Sequence, residues 1–419
     1  MTADSPAFSL RSVAAAVYLP TLLFGIGEGA LIPLIPAAAS NLGASIAIAG
    51  AIAAMLTVGE LFGDIPSGVF VSRIGERNAM IAAVAVSLAA VAVIMLAPNA
   101  FALGVGVFVL GLATAVFALA RHAFMTTYVP KRYRARSLSL LGGVFRCGHF
   151  IGPLLSAPII HLTGGMAGVY WTMVLFCLAT AVVLLVLPDP ERVFGAAHAE
   201  VPSGGEHESE GEQLTRREST GLFATLAANA RVLGTVGVGA SIIAALRSAR
   251  TVLIPLWAVS LGVDEASTAL LIGLAGALDF ALFYVSGHVM DRYGRLWGAL
   301  PALTGLGAGF VLLSATHDVA DAVLWLIIAT GLLAVANGMS SGILMTLGAD
   351  LADPGDPAPF LGAWRFVTDA GAAASPLVIA GLTALVSLAA AAGALGFLAV
   401  AGVAIMAHWV PRFVPGTGR

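Results

Sequence analysis

Glu60 and Asp64 stand four residues apart in a run, residues 45–70, that carries no other charge. On a helix that spacing puts both carboxylates on one face, where two acids close together in an apolar medium cannot both stay ionised without a partner. Other charges are stranded in the same way. Glu28 lies in residues 13–38, Arg146 and His149 share a face in 136–161, and Arg247 and Arg250 lie three apart in 232–260. Asp279 lies in 265–288, and Arg365 and Asp369 share a face in 359–385. A charge at bilayer depth costs at least about 2.5–3.5 kcal/mol on insertion scales, so such residues mark proton relays, solute paths or helix-bracing ion pairs. A carboxyl group changes its hold on a proton when a guanidinium moves toward it or away. Glu28, Glu60, Asp64, Asp279 and Asp369 are therefore the candidate proton-coupling groups. Arg146, Arg247, Arg250 and Arg365 are the candidate substrate contacts. A static ion pair is the alternative at each position.

The elements that hold these residues set the class of protein. The chain has 419 residues, 59% hydrophobic and 10% charged, with a mean hydropathy of +0.97, against about 25% charged in a soluble protein. A helix crosses a bilayer with roughly 20 apolar residues. About twelve runs meet that length: 13–38, 45–70, 78–97, 101–127, 136–161, 168–187, 232–260, 265–288, 296–316, 321–348, 359–385 and 387–409. They are apolar throughout, unlike the short alternating strands of a membrane barrel. The fold class is thus an all-α membrane protein with twelve transmembrane helices.

Of the 20 Lys and Arg residues, five lie inside runs: Arg121, Arg146, Arg247, Arg250 and Arg365. The other 15 lie in the termini or in alternate loops, Lys131, Arg132, Arg134 and Arg136 among them, while the opposite loops hold only acids such as Asp264, Glu265, Asp318 and Asp321. That asymmetry predicts a multi-pass protein with both termini cytoplasmic. The Ala- and Gly-rich usage suggests a bacterial cytoplasmic membrane. The first run is long enough to span and lacks a cleavage site, so it reads as a retained helix rather than a signal peptide. Cys147 and Cys177 fall inside runs and read as small apolar packing. No Gly-rich phosphate loop with Lys points to ATP, and the His residues lack paired metal spacing. The basic loop 131–136 reads as a topology signal or an anionic-lipid contact rather than a nucleic-acid site. The expectation is a monomer that is no enzyme and holds no cofactor.

Residues 188–231 interrupt the pattern, with Glu200, Glu206, Glu208, Glu210, Glu212, Arg216, Arg217 and Glu218 among Gly, Ser and His. Such a composition buries no core and reads as a mobile linker. It divides the chain into 1–187, 188–231 and 232–419, and the outer parts repeat each other. Leu31-Ile32-Pro33-Leu34 matches Leu253-Ile254-Pro255-Leu256, Ser67-Gly68 matches Ser286-Gly287, and Gly143-Val144-Phe145-Arg146 matches Gly362-Ala363-Trp364-Arg365, at offsets of 219 to 222. Arg250 then takes the repeat position of Glu28, and Asp279 that of Glu60.

The second repeat carries Gly287, Asp291, Arg292, Gly294 and Arg295 in the pattern G-x-x-x-D-R-x-G-R between two runs; the first carries Gly68, Arg73, Gly75 and Arg77, with Ser72 in place of the acid. Gly287 would let two helices approach closely, and Gly294 would permit a tight reversal. These turns, the duplication and the topology closely resemble the major facilitator superfamily of transporters, and within it the twelve-helix drug/proton antiporter-type exporters. The resemblance implies two pseudo-symmetric six-helix bundles with a substrate site between them near the midplane. It gives the two turns a gating role; with Ser72 in the first, that latch is either weakened or uses Asp64 or Glu76 instead.

Gly148-x-x-x-Gly152-Pro153 in the fifth run resembles the exporters' antiporter signature, a small-residue face with a Pro bend, although Ser139 and Ser156 stand where glycines are usual. Simple packing is the alternative. The Arg those exporters carry in the fourth run is replaced by Val107; Arg121 either substitutes for it or reaches the membrane interface. By the same resemblance the first, fifth, seventh and eleventh runs line a cavity in which Glu28, Arg146, Arg250 and Arg365 face one another. Trp257, Trp364, Asn337, Phe280, Phe283 and Tyr284 would supply further contacts. The function implied is proton-driven efflux of amphipathic small molecules or drugs. Proton-coupled uptake of an anionic metabolite, or a non-transporting membrane sensor or scaffold, are the alternatives.

Overall fold

The computed structural model describes residues 17–129, 131–187, 222–340, 342–353 and 358–414, and the regular structure among them is helical throughout. Twelve helices among the described residues are long and apolar enough to cross a membrane, which makes the chain a multi-pass membrane protein. In order they are α1 Leu19–Asn41, α2 Ile46–Ile74, α3 Glu76–Met95, α4 Ala100–Tyr128, α5 Lys131–Thr163 and α6 Ala167–Val186. There follow α7 Val238–Ser260, α8 Glu265–Tyr293, α9 Leu296–Ala315, α10 Ala322–Met339, α11 Ala358–Leu385 and α12 Leu388–Phe413. The linker acids and the side chains of 131–136, Asp291 and Tyr284 lie outside what is described. Helix resumes at Leu222–Ala228, nine residues before the expected end of the linker, because Leu-Phe-Ala-Thr-Leu-Ala-Ala is itself apolar and helix-forming.

Local chemistry repeats with the sequence. At the end of the molecule away from the linker, here the far end, Ser45, Asn99, Asp264 and Ser387 cap α2, α4, α8 and α12 by accepting from backbone amides three residues on. The side-chain and backbone bonds with Ser267 hold the Asp264 carboxyl below the usual carboxylate range. At the linker end Gly75 and Gly294 turn the chain with φ of 79° and 94°, a conformation that favours glycine. The two LIPL copies differ. Ile32–Leu34 interrupts α1 as a 3-10 turn, whereas Pro255 sits inside an unbroken α7.

Within the first six helices the main packing pairs are α2 with α4, α1 with α5 and α6, and α3 with α4 and α6; within the second they are α9 with α12 and α10, α7 with α11 and α12, and α8 with α10. The two sets meet chiefly through α5 on α8 and α2 on α11, pairs that the repeat interchanges, with α7 also reaching α1 and α2. Contact is tight toward the far end. A Cβ on Gly273 or Gly276 of α8 would meet Leu154 or Phe150 of α5 at 2.7 and 2.8 Å, and Asn41 Nδ2 donates to Glu265 Oε1 at 3.2 Å. Toward the linker end the helices spread. A Cβ on Gly287, Gly142 or Gly143 would meet none of the described atoms within 4 Å. Gly287 therefore does not make the close approach expected of it in this conformation.

Candidate functional site

Glu28 is positioned by a close helix crossing. Gly25 and Gly29 of α1 face Gly148 and Gly152 of α5: a Cβ on Gly29 would fall 2.8 Å from His149 Cα, and one on Gly152 would run into Ala30 N and Ile26 O. Small residues four apart on both helices permit this approach. Ser156, at a usual glycine position, adds to it by donating to Ala30 O at 3.1 Å. The crossing brings Glu28, 1% exposed, to His149, with Nε2 3.8 Å from Oε2. Thr114 Oγ1 of α4 donates to Glu28 Oε1 at 2.6 Å, while Oε2 is buried with no hydrogen-bond partner among the described residues. Arg121 of α4 is buried with its guanidinium 4.0 Å over the Phe145 ring, within Coulombic range of Glu28 and Arg365.

Between the bundles Arg365 of α11 bridges Asp64 of α2, Nη2 to Oδ1 at 3.5 Å, and Asp369 on its own helix, Nε to Oδ2 at 3.3 Å. These three side chains are 44%, 29% and 39% exposed; Asp369 lies near the middle of α11, Arg365 one turn nearer its start, and Asp64 at the end of the apolar span of α2. Charges within such spans face a cleft rather than lipid. Glu60, one turn from Asp64, lies in Coulombic range of Glu28, Asp64, Asp369 and Arg365. Four carboxylates and two guanidiniums thus share one field.

A second group lies among α5, α7, α8 and α10. Arg250 Nη2 meets Asp279 Oδ2 at 3.1 Å, and the Asn337 amide donates to the same oxygen. Arg247 lies in Coulombic range of Arg146, Asp279 and Arg250, and Arg146 is 5.1 Å over the Phe283 ring. Three guanidiniums here surround one carboxylate. Glu28, Arg146, Arg250 and Arg365 therefore do not face one another as a single constellation. Each is engaged by a nearer side chain, because a buried charge is tolerable only with a close partner. The Arg250–Asp279 pair gives a direct prediction. Arg250→Ala should lower stability by about 1–3 kcal/mol, because Asp279 loses its ion-pair partner and keeps only the Asn337 bond and two more distant guanidiniums, and replacing both residues by Leu should restore most of it. Thermal unfolding in detergent measures this, and an unchanged midpoint in Arg250→Ala would refute it.

Two tryptophans lie away from the charges. Trp257 is fully buried and packs edge-on to His317 at the far end, so it belongs to the packing rather than the cleft. Trp364 Nε1 donates to Leu344 O at 2.9 Å and covers Gly348, tying α11 to the short helix Ile343–Leu351. In the turns, Arg295 pairs with Asp350 at 2.7 Å, and Arg77 donates to Leu184 O and Leu187 O at 2.8 and 2.9 Å. Arg292 sits 5.5 Å over the Tyr293 ring, and Arg73 is exposed. Asp64 pairs with Arg365 rather than with the first turn, and Glu76 is buried at the start of α3. Gly25-x-x-x-Gly29 was a legible signal, since its spacing matches Gly148-x-x-x-Gly152. Thr114 offered none.

Two repeated sets of six helices, meeting around charges within their spans, define a membrane transporter of the two-bundle class. The chain belongs to the Major Facilitator Superfamily, whose model matches residues 17–376. Among solved structures it is similar in fold to a POT family transporter in complex with a thioalcohol-conjugated peptide (TM-score 0.75, 11% identity, 96% of each chain covered). It is similar also to a D-xylose–proton symporter (TM-score 0.71, 14% identity, 97% of this chain and 98% of that one). A third is the human organic anion transporter MFSD10 (TM-score 0.59, 16% identity, 94% and 99%). No curated protein matches the sequence.

Proposed function

We propose that this transporter exchanges protons for amphipathic cations by alternating access between its two bundles, and that it works as an exporter in a bacterial cytoplasmic membrane. One observation carries the reading: Glu28, Glu60, Asp64 and Asp369 cluster with Arg365, which bridges Asp64 and Asp369, and with Arg121 beside Glu28. Four acids against two bases leave two negative charges within the apolar spans, and such charges are costly there unless neutralised. Protons neutralise them, and so does a cationic substrate. Occupation by one therefore expels the other, which is the requirement for antiport. Glu28 is the proton-coupling carboxylate in this reading, with Glu60, Asp64 and Asp369 as the competing site, and the spread linker end is the side open to solvent.

A second reading rests on the other group. Arg146, Arg247 and Arg250 around Asp279 would suit an anion, moved with protons in the manner named for the D-xylose–proton symporter. Purified protein in liposomes with a pH-sensitive dye inside decides between them. Challenge with a panel of lipophilic cations should move protons opposite to the cation, and organic anions should move none. Protons travelling with an anion would favour the second reading. No proton movement with any compound would remove proton coupling altogether.

A further inference from the structure

We propose that Glu28 and His149 form one proton-binding site, holding a single proton between them, and that His149 is the group through which this proton passes to and from the cleft. The inference deepens the proton-coupled reading above and rests on it for its role in transport.

The geometry of the imidazole sets the argument. His149 Nδ1 lies 3.3 Å from Phe145 O. A carbonyl only accepts, so the hydrogen of the neutral ring sits on Nδ1 and Nε2 turns a lone pair outward. That lone pair faces Glu28 Oε2 at 3.8 Å, the oxygen left without a hydrogen-bond partner among the described residues. With no proton between them, two acceptors face each other. One added proton makes the pair complementary on either atom, as O–H donating to Nε2 or Nε2–H donating to the carboxylate. Approach by about 1 Å then brings them to ordinary hydrogen-bond distance.

Access supplies the direction. Glu28 is 1% exposed and the His149 side chain is 34% exposed, so the carboxyl group meets solvent through the imidazole. Every packed element bears on the site in a defined way. On α4, Thr114 holds Oε1, and Arg121 supplies the positive charge that stabilises the carboxylate once the proton has left. On α2, Glu60 adds negative charge; on α6, Cys177 is the titratable neighbour of Glu28. On α5 itself, Phe145 lies 4.3 Å from the His149 ring, centroid to centroid, and fixes its orientation. The α1–α5 glycine crossing holds donor and acceptor in register.

Infrared difference spectroscopy of the full-length protein in lipid, between acid and alkaline buffer, tests this with no transported compound present. The protonated-carboxyl band assigned by Glu28→Gln and the imidazole band assigned by His149→Gln should titrate together in the unaltered protein. Each band should move its midpoint, by about one pH unit or more, when the other residue is replaced. Thr114→Val, which leaves both titrating groups in place, should shift both bands while keeping their coupling, and it serves as the check if one Gln variant fails to fold. Independent titration, with neither variant moving the other band, would overturn the proposal. This outcome is separable from failure of the transport reading, in which the bands titrate together but no compound evokes proton movement.

Discussion

Gly152→Val should yield no monodisperse protein in detergent, whereas Gly142→Val, ten residues earlier on the same helix, should purify like the unaltered chain. The first Cβ would collide with Ala30 N and Ile26 O, atoms of the α1 backbone that no rotamer change can move aside. Overpacking commonly costs about 1–3 kcal/mol and occasionally more; here α1 and α5 would have to separate as whole helices, with loss of the Ser156–Ala30 bond. A Cβ at 142 would meet none of the described atoms within 4 Å. Size-exclusion chromatography and thermal unfolding of the two variants, side by side, measure the difference. Equal stability would mean that the small-residue crossing is not what joins the two helices.

The second large effect concerns the carboxylate held at that crossing. Glu28→Gln keeps the shape of the side chain and an oxygen for Thr114 to bond, and removes only the titrating proton. In liposomes, proton movement evoked by a lipophilic cation should fall by about an order of magnitude or more. Binding of the same cation, followed by tryptophan fluorescence, should persist through Glu60, Asp64 and Asp369. Undiminished proton movement in folded Glu28→Gln protein would reduce Glu28 to a structural partner of Thr114 and pass the coupling role to the carboxylates of α2 and α11.

The architecture was readable because it follows from repetition. Runs of membrane length, the 219-residue offset between the turns and the glycine of each reversal all appear in the structure where periodicity puts them: Gly75 and Gly294 share both a repeat position and a positive φ. The charged residues were readable as a set but not as partners. The resemblance that lines one cavity with Glu28 and Arg250 suggests that they meet, yet each has nearer neighbours, Thr114 and His149 in one case and Asp279 in the other. Pairing depends on which helix lies beside which, and a hydroxyl in an apolar run carries no mark of that, since Ser and Thr so often bond their own helix instead. Trp257 was misplaced for a related reason: a large aromatic near the end of a span looks the same whether it faces a cleft or, as here, fills the packing against His317.

The contact of α5 with α8 can be followed as a series of rungs. Leu154 lies on Gly273, Phe150 on Gly276 and Arg146 over Phe283. The next rung in that antiparallel register is Gly142 and Gly143 opposite Gly287, and there the ladder is open. Both sides of the unmade rung lack side chains, so if the helices zip shut toward the linker, backbone can meet backbone with nothing to be squeezed out. The zipper can therefore be jammed from either strip. A Cβ at Gly143 or Gly287 meets none of the described atoms in the open state, so a bulky residue there should hold the molecule open, a way of arresting the cycle without touching any charge.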